Sequence, residues 1–74
     1  MSEADKMFEE LGYEYIEHIY QYGGNVYDYK NDKIDKWIRF NENDREVIFV
    51  TRKSSYSMEE LKAINKKCEE LGWL

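Results

Sequence analysis

The sequence predicts an α+β domain. Its form is two-layer: a four-stranded antiparallel sheet with an N-terminal and a C-terminal helix packed on one face, in the order α-β-β-β-β-α. Three observations carry this. The pentapeptide Glu-Glu-Leu-Gly-aromatic occurs twice, as Glu9-Glu10-Leu11-Gly12-Tyr13 and as Glu69-Glu70-Leu71-Gly72-Trp73, each time closing a stretch with helical periodicity. The residues between are rich in aromatic and β-branched types, broken by short polar turns. Ser57-Met58-Glu59-Glu60 has the pattern of a capping box at the start of the second helix.

The first helix is expected from Ser2 or Glu3 to Leu11. Ser2 is placed to cap it, with Asp5 three positions on. Ala4, Met7, Phe8 and Leu11 share one helical face. Glycine after the last helical residue takes the left-handed conformation at no Cβ cost, so Gly12 ends the helix and Tyr13 folds back on it.

Tyr13 to Tyr20 reads as the first strand. Its alternation is imperfect: Tyr13 and Tyr15 share one parity, Ile16, His18 and Tyr20 the other. A bulge or burial on both faces accounts for this. Gly23-Gly24-Asn25 is a turn signal, and Val26–Tyr29 is the second strand. Asn31-Asp32-Lys33 forms a polar turn. Lys36–Phe40 is the third strand, with Ile38 and Phe40 on one face and Trp37 and Arg39 on the other. Asn41–Asp44 is another turn. Glu46–Thr51, the most apolar run, is the fourth strand and is expected at the centre of the sheet. In the last helix Met58, Leu61, Ile64, Cys68 and Leu71 form the apolar stripe, with Lys62, Lys66 and Lys67 opposite. Trp73 and Leu74 either cover the core after the Gly72 cap or form an exposed hook.

Seventy-four residues make one domain with a modest core. Twelve of them are aromatic, and large rings partly offset the small size. The single cysteine, Cys68, excludes an intrachain disulfide. No apolar run reaches the length of a membrane span, and the polar start Met1-Ser2-Glu3-Ala4-Asp5-Lys6 lacks a signal-peptide pattern. A cytoplasmic setting is expected.

The net charge of −5 is concentrated in the first third. Glu3, Asp5, Glu9, Glu10, Glu14 and Glu17 face only Lys6 there, while the rest of the chain is nearly balanced. An acidic face repels nucleic acid and keeps a small protein soluble. The basic residues of the middle, Lys30 to Lys53, are interleaved with acids, and no aromatic-and-glycine RNA-binding pattern is present, so nucleic-acid binding is not expected.

No catalytic, cofactor or metal site is expected. His18 has only Glu17 beside it, on the other face of a strand. Cys68 lacks ligands at metal spacing and belongs to the apolar stripe. The pairs Glu9-Glu10, Glu59-Glu60 and Glu69-Glu70 point about 100° apart on a helix and read as solvated. Gly23-Gly24 lacks the lysine and helix of a phosphate loop.

The tyrosines are the remaining signal. Six of the seven lie between Tyr13 and Tyr29. Alternate strand residues share a face, and tyrosine, tryptophan and arginine are favoured at interfaces. The candidate partner-binding residues are Tyr15, Tyr20, Tyr22, Tyr27, Tyr29, Trp37 and Arg39. If the helices bury all of these rings, this reading fails. The expectation is a non-enzymatic domain binding an unidentified protein through an aromatic sheet face. The alternative is an acidic nucleic-acid mimic that inhibits a DNA-binding protein, which requires carboxylates spaced along one continuous face.

The run Ser57-Met58-Glu59-Glu60-Leu61-Lys62-Ala63-Ile64-Asn65-Lys66-Lys67, the closing Glu69–Trp73 and the opening Met7–Tyr13 resemble small uncharacterised proteins of bacteriophages and prophages of Gram-positive bacteria. The resemblance implies a cytosolic, phage-associated accessory protein. It supplies no catalytic residues.

Overall fold

A computed structural model describes residues 2–19, 24–51 and 55–74. The elements follow the expected order: α1 (Glu3–Glu10), β1 (Glu14–Ile19), β2 (Asn25–Asn31), β3 (Lys36–Asn41), β4 (Glu46–Thr51) and α2 (Met58–Glu70). The strands form one antiparallel meander, β1-β2-β3-β4.

The Ser2 side chain accepts from the Asp5 N–H at 3.0 Å and opens α1. At α2 the capping box is complete: Ser57 Oγ accepts from the Glu60 N–H at 3.1 Å, and Glu60 Oε1 accepts from the Ser57 N–H at 2.7 Å. Both helices close in the same way. The Gly12 N–H donates to Glu9 C=O and the Tyr13 N–H to Phe8 C=O; the Gly72 N–H donates to Glu69 C=O and the Trp73 N–H to Cys68 C=O. These paired bonds make a Schellman motif, which needs the left-handed residue that Gly12 (φ 93°) and Gly72 (φ 79°) supply.

The two inner hairpins also share one turn design. Asn31 Oδ1 accepts from the Lys33 N–H at 3.1 Å, and Asn41 Oδ1 from the Asn43 N–H at 3.2 Å. Each loop then ends on a residue with φ 53°, Asp35 or Arg45, before the next strand begins. Of the expected turn Gly23-Gly24-Asn25, Gly23 lies outside the described residues, and Asn25 already belongs to β2.

Strand alternation and register divide the side chains cleanly. Ile38 and Phe40 face the helices, as do Tyr15, Tyr27 and Tyr29 on the neighbouring strands and Tyr13 just before β1. Phe8 of α1 stacks on Tyr29 at 4.0 Å and meets Tyr13 and Phe40 edge-on. Ala63, Ile64 and Cys68 of α2 complete the core. Burial pushes the Cys68 thiol pKa up, as befits a core thiol. Trp73 packs against Phe40, with ring centroids 6.3 Å apart, so it covers the core, while Leu74 is exposed. Both helices therefore lie on one face of the sheet.

Of the two readings left open for the first strand, the bulge is excluded: β1 pairs with β2 in unbroken register from Glu14 to Ile19. Other expectations need correction. The apolar β4 is an edge strand, because a meander puts its last strand outside whatever its hydrophobicity. The buried stripe of α2 is Glu60, Ala63, Ile64, Lys67 and Cys68, while Met58 and Leu61 are exposed. The helix is turned this way because two charged residues are drawn inward by partners. Glu60 is one, against the expectation of a solvated pair, and Lys67, expected opposite the stripe, is the other.

Candidate functional site

Two side-chain clusters result on opposite sides of the sheet, one built of tyrosines and one around a single tryptophan. The first is on the helix side. Tyr15 lies directly across from Tyr29, their rings 5.2 Å apart, and stacks more distantly on Tyr27. Lys67 reaches over these rings. Its ammonium is 4.4 Å from the Tyr27 centroid and 5.8 Å from those of Tyr15 and Tyr29, and Asp5 lies 4.0 Å away. The Tyr29 hydroxyl donates to Asp5. Burial, with that carboxylate beside it, pushes the Tyr29 hydroxyl pKa far up.

Beside this cluster a groove of about 320 Å³ runs between α1 and β1, lined by Asp5, Glu9, Tyr13, Glu14, Tyr15 and Tyr29. The Tyr13 hydroxyl donates to Glu60, which also holds the Lys36 ammonium. Burial and the Glu60 carboxylate raise the Tyr13 pKa far above its ordinary value. Burial alone would raise the Glu60 pKa. The Ser57 N–H, the Tyr13 hydroxyl and the Lys36 ammonium outweigh it and hold the carboxyl below its usual range.

The second cluster is on the helix-free face. Register makes it a grid of cross-strand rows: Glu14, Lys30, Trp37 and Val50 in one, and Ile16, Asp28, Arg39 and Ile48 in the next. Asp28 is fully enclosed, gripped at both oxygens by Arg39, with Nε at 2.8 Å and Nη2 at 2.9 Å. That bidentate fork fixes the Arg39 side chain. Trp37 lies between two cations, with Lys30 Nζ 5.2 Å and the Arg39 guanidinium carbon 5.9 Å from its ring. Its Nε1–H is enclosed with no hydrogen-bond partner among the described residues. Among the described residues no helix covers this face.

The seven sequence-derived candidates therefore do not form one surface. Tyr15 is exposed and Tyr27 half-buried, both on the helix side. Tyr29 is fully enclosed in the core and presents nothing to a partner. Trp37 and Arg39 stand together on the opposite face. Tyr20 and Tyr22 lie outside the described residues. Asp28, Lys30, Ile48 and Val50 join the Trp37 site without having been singled out. The parity of β2 carries their signal: Val26, Asp28 and Lys30 alternate with Tyr27 and Tyr29.

The acids of the first third are divided. Glu3 pairs with Lys66 at 3.2 Å, Asp5 turns in toward Tyr29, and Glu9 lines the larger groove. Glu10 lines a second groove of about 120 Å³ with Met7, Leu11, Glu59 and Lys62. These described carboxylates do not follow one row. Among the described residues no group of three or more His, Cys, Asp or Glu side chains could hold a metal ion, and no helix is long and apolar enough to cross a membrane. No protein-family model, curated protein or solved structure matches the chain.

Proposed function

We propose that this protein is a small non-enzymatic interaction module that binds a protein partner through the helix-free face of its sheet, centred on Trp37. One observation carries this reading: a half-buried tryptophan between two cations, on a face that no described helix covers, beside an arginine locked by the buried Asp28. Tryptophan and arginine held rigid beforehand lose little freedom on binding and supply much of the energy of interfaces. The half-buried Ile16 and Ile48 and the exposed Val50 add apolar area around the ring. Lys30, 3.4 Å from the exposed Asp32, is the cation at the edge of this apolar contact and favours a partner that brings further carboxylates there. A cytoplasmic, phage-associated accessory role, as the sequence resemblance implies, is part of the proposal.

The test is capture of partners from a cell extract by wild type, Trp37→Ala and Lys30→Glu. Lys30 is partly exposed, so its reversal tests charge without opening the core. A partner held by wild type and weakened about tenfold or more by both variants, with unchanged circular dichroism, supports the reading. Undiminished capture by both variants overturns it.

A further inference from the structure

The two edges of the sheet are guarded differently. By sequence β1 holds two acids, Glu14 and Glu17, and charge along an edge strand discourages pairing. From Val47 to Thr51, β4 has no charge and no proline, and its unbroken register with β3 leaves no bulge to twist it away.

The ladder fixes which groups β4 turns outward. The Glu42 N–H donates to Asn25 C=O across to β2, so even-numbered residues of β3 address β2 and odd-numbered ones address β4. Arg39 lies opposite Ile48. Glu46, Ile48 and Val50 therefore bond to β3, and the peptide groups of Val47, Phe49 and Thr51 point outward. No described strand pairs with them.

We propose that β4 pairs antiparallel with β4 of a second copy of this chain, about a two-fold axis through Phe49. An axis perpendicular to the sheet keeps the helices of both copies on one side, so odd residues must face odd residues. Centring on Phe49 sets Phe49 opposite itself, Val47 opposite Thr51, and Ile48 opposite Val50. Every outward N–H and C=O of the strand then finds a partner. A slip of two residues either way leaves some of them unpaired.

The strand's own order is what favours a second copy as occupant. Phe49 faces its own copy and Ile48 faces Val50, so an aromatic meets an aromatic and a β-branched side chain meets another, combinations that stabilise sheets.

Four of the exposed apolar side chains belong to β4 and the start of α2. Phe49 is 46 % exposed, Val50 57 %, Met58 63 % and Leu61 45 %. Glu59, Lys66 and Glu70 address α1, which leaves Leu61 on the flank of α2 away from it. Phe49 and Leu61 of the two copies would meet on the helix side. Val50 would extend the opposite face.

Sedimentation velocity on the full chain, from micromolar to near-millimolar concentration, tests this. The expected result is a reversible rise to twice the 9.0 kDa monomer mass, abolished by Phe49→Lys with unchanged circular dichroism. A cysteine series reads the register. Of Val47→Cys, Phe49→Cys and Thr51→Cys, only Phe49→Cys meets its own copy, with Cα atoms about 5.5 Å apart and within disulfide reach. It should give the fastest cross-linked dimer under mild oxidation; Cys68 is buried and stays in place. A monomer at every concentration, a dimer indifferent to Phe49→Lys, or faster cross-linking at Val47 or Thr51 would overturn the proposal. So would a monomer whose β4 takes up only unrelated extended peptides.

Discussion

Lys36 Nζ lies 2.9 Å from Glu60 Oε1, and each side chain is only 7 % exposed. The pair joins the start of β3 to the first turn of α2. Glu60 is also the capping-box acid for Ser57 and the acceptor for Tyr13, so one carboxylate serves three elements. Replacing it by alanine strands a buried ammonium and a buried hydroxyl, at about 3–5 kcal/mol. A domain of this length has a total of roughly 4–11 kcal/mol to lose. Lys36→Met should cost nearly as much, because it leaves the carboxylate without its cation. The double variant Lys36→Met with Glu60→Ala should cost less than the two singles together, by about 1–3 kcal/mol. Urea denaturation of the four proteins measures this. Strict additivity would mean that the two groups act independently.

The same residues set the pH range of stability. The folded Glu60 carboxyl titrates below its unfolded value of about 4.3, so its contribution is complete above that pH. It is lost as pH falls through the unfolded value toward the folded one. Tyr13 and Tyr29 shift the other way. Their contribution is complete below the unfolded tyrosine value of about 10, and is lost as pH rises beyond it. Stability against urea should fall at both ends. Glu60→Gln should flatten the acid limb, and Tyr29→Phe the alkaline limb.

The twin helix ends allow a matched comparison. At Gly72 a Cβ would meet nothing within 4 Å, so Gly72→Ala incurs only the left-handed backbone strain, about 1–2 kcal/mol. At Gly12 the same Cβ would come within 3.1 Å of Asn31 Nδ2. That amide donates to Leu11 C=O at 3.2 Å, and displacing it adds a lost hydrogen bond. Gly12→Ala should therefore be the more destabilising, by about 0.5–1.5 kcal/mol. Thermal denaturation of both variants decides the order.

Local signals were legible in the sequence because local chemistry fixes them. Ser2, Ser57 with Glu60, Gly12 and Gly72 cap through residues at most five positions away, and the parity of Trp37 and Arg39 follows from the pleat. Long-range effects were not legible. Periodicity puts Met58 and Leu61 inside, yet α2 turns so that Glu60 meets Lys36 and Lys67 meets tyrosines of two strands. Hydrophobicity puts β4 at the centre, yet chain order makes it an edge. The candidate site divided for the same reason. Tyr29 shares a parity with Tyr27, but only the approach of Phe8 determines which side of the sheet that parity faces.

Lys67 gives the last expectation. Its charge is buried over tyrosine rings, with one carboxylate 4.0 Å away. Cation–π attraction of a desolvated ammonium is worth about 2 kcal/mol, and the lysine stem covers the rings beneath it. Lys67→Met keeps the stem and removes the charge, so it should cost about 1–3 kcal/mol. The nearest ring is Tyr27, whose hydroxyl reaches the half-buried Asn25 and the exposed Glu42. Tyr27→Phe keeps the ring face and should cost less than about 1 kcal/mol, whereas Tyr27→Leu removes it and should approach the cost of Lys67→Met. Combined with Lys67→Met, Tyr27→Leu should add little. If Tyr27→Phe and Tyr27→Leu prove equally destabilising in urea denaturation, the ring face is not what holds the ammonium.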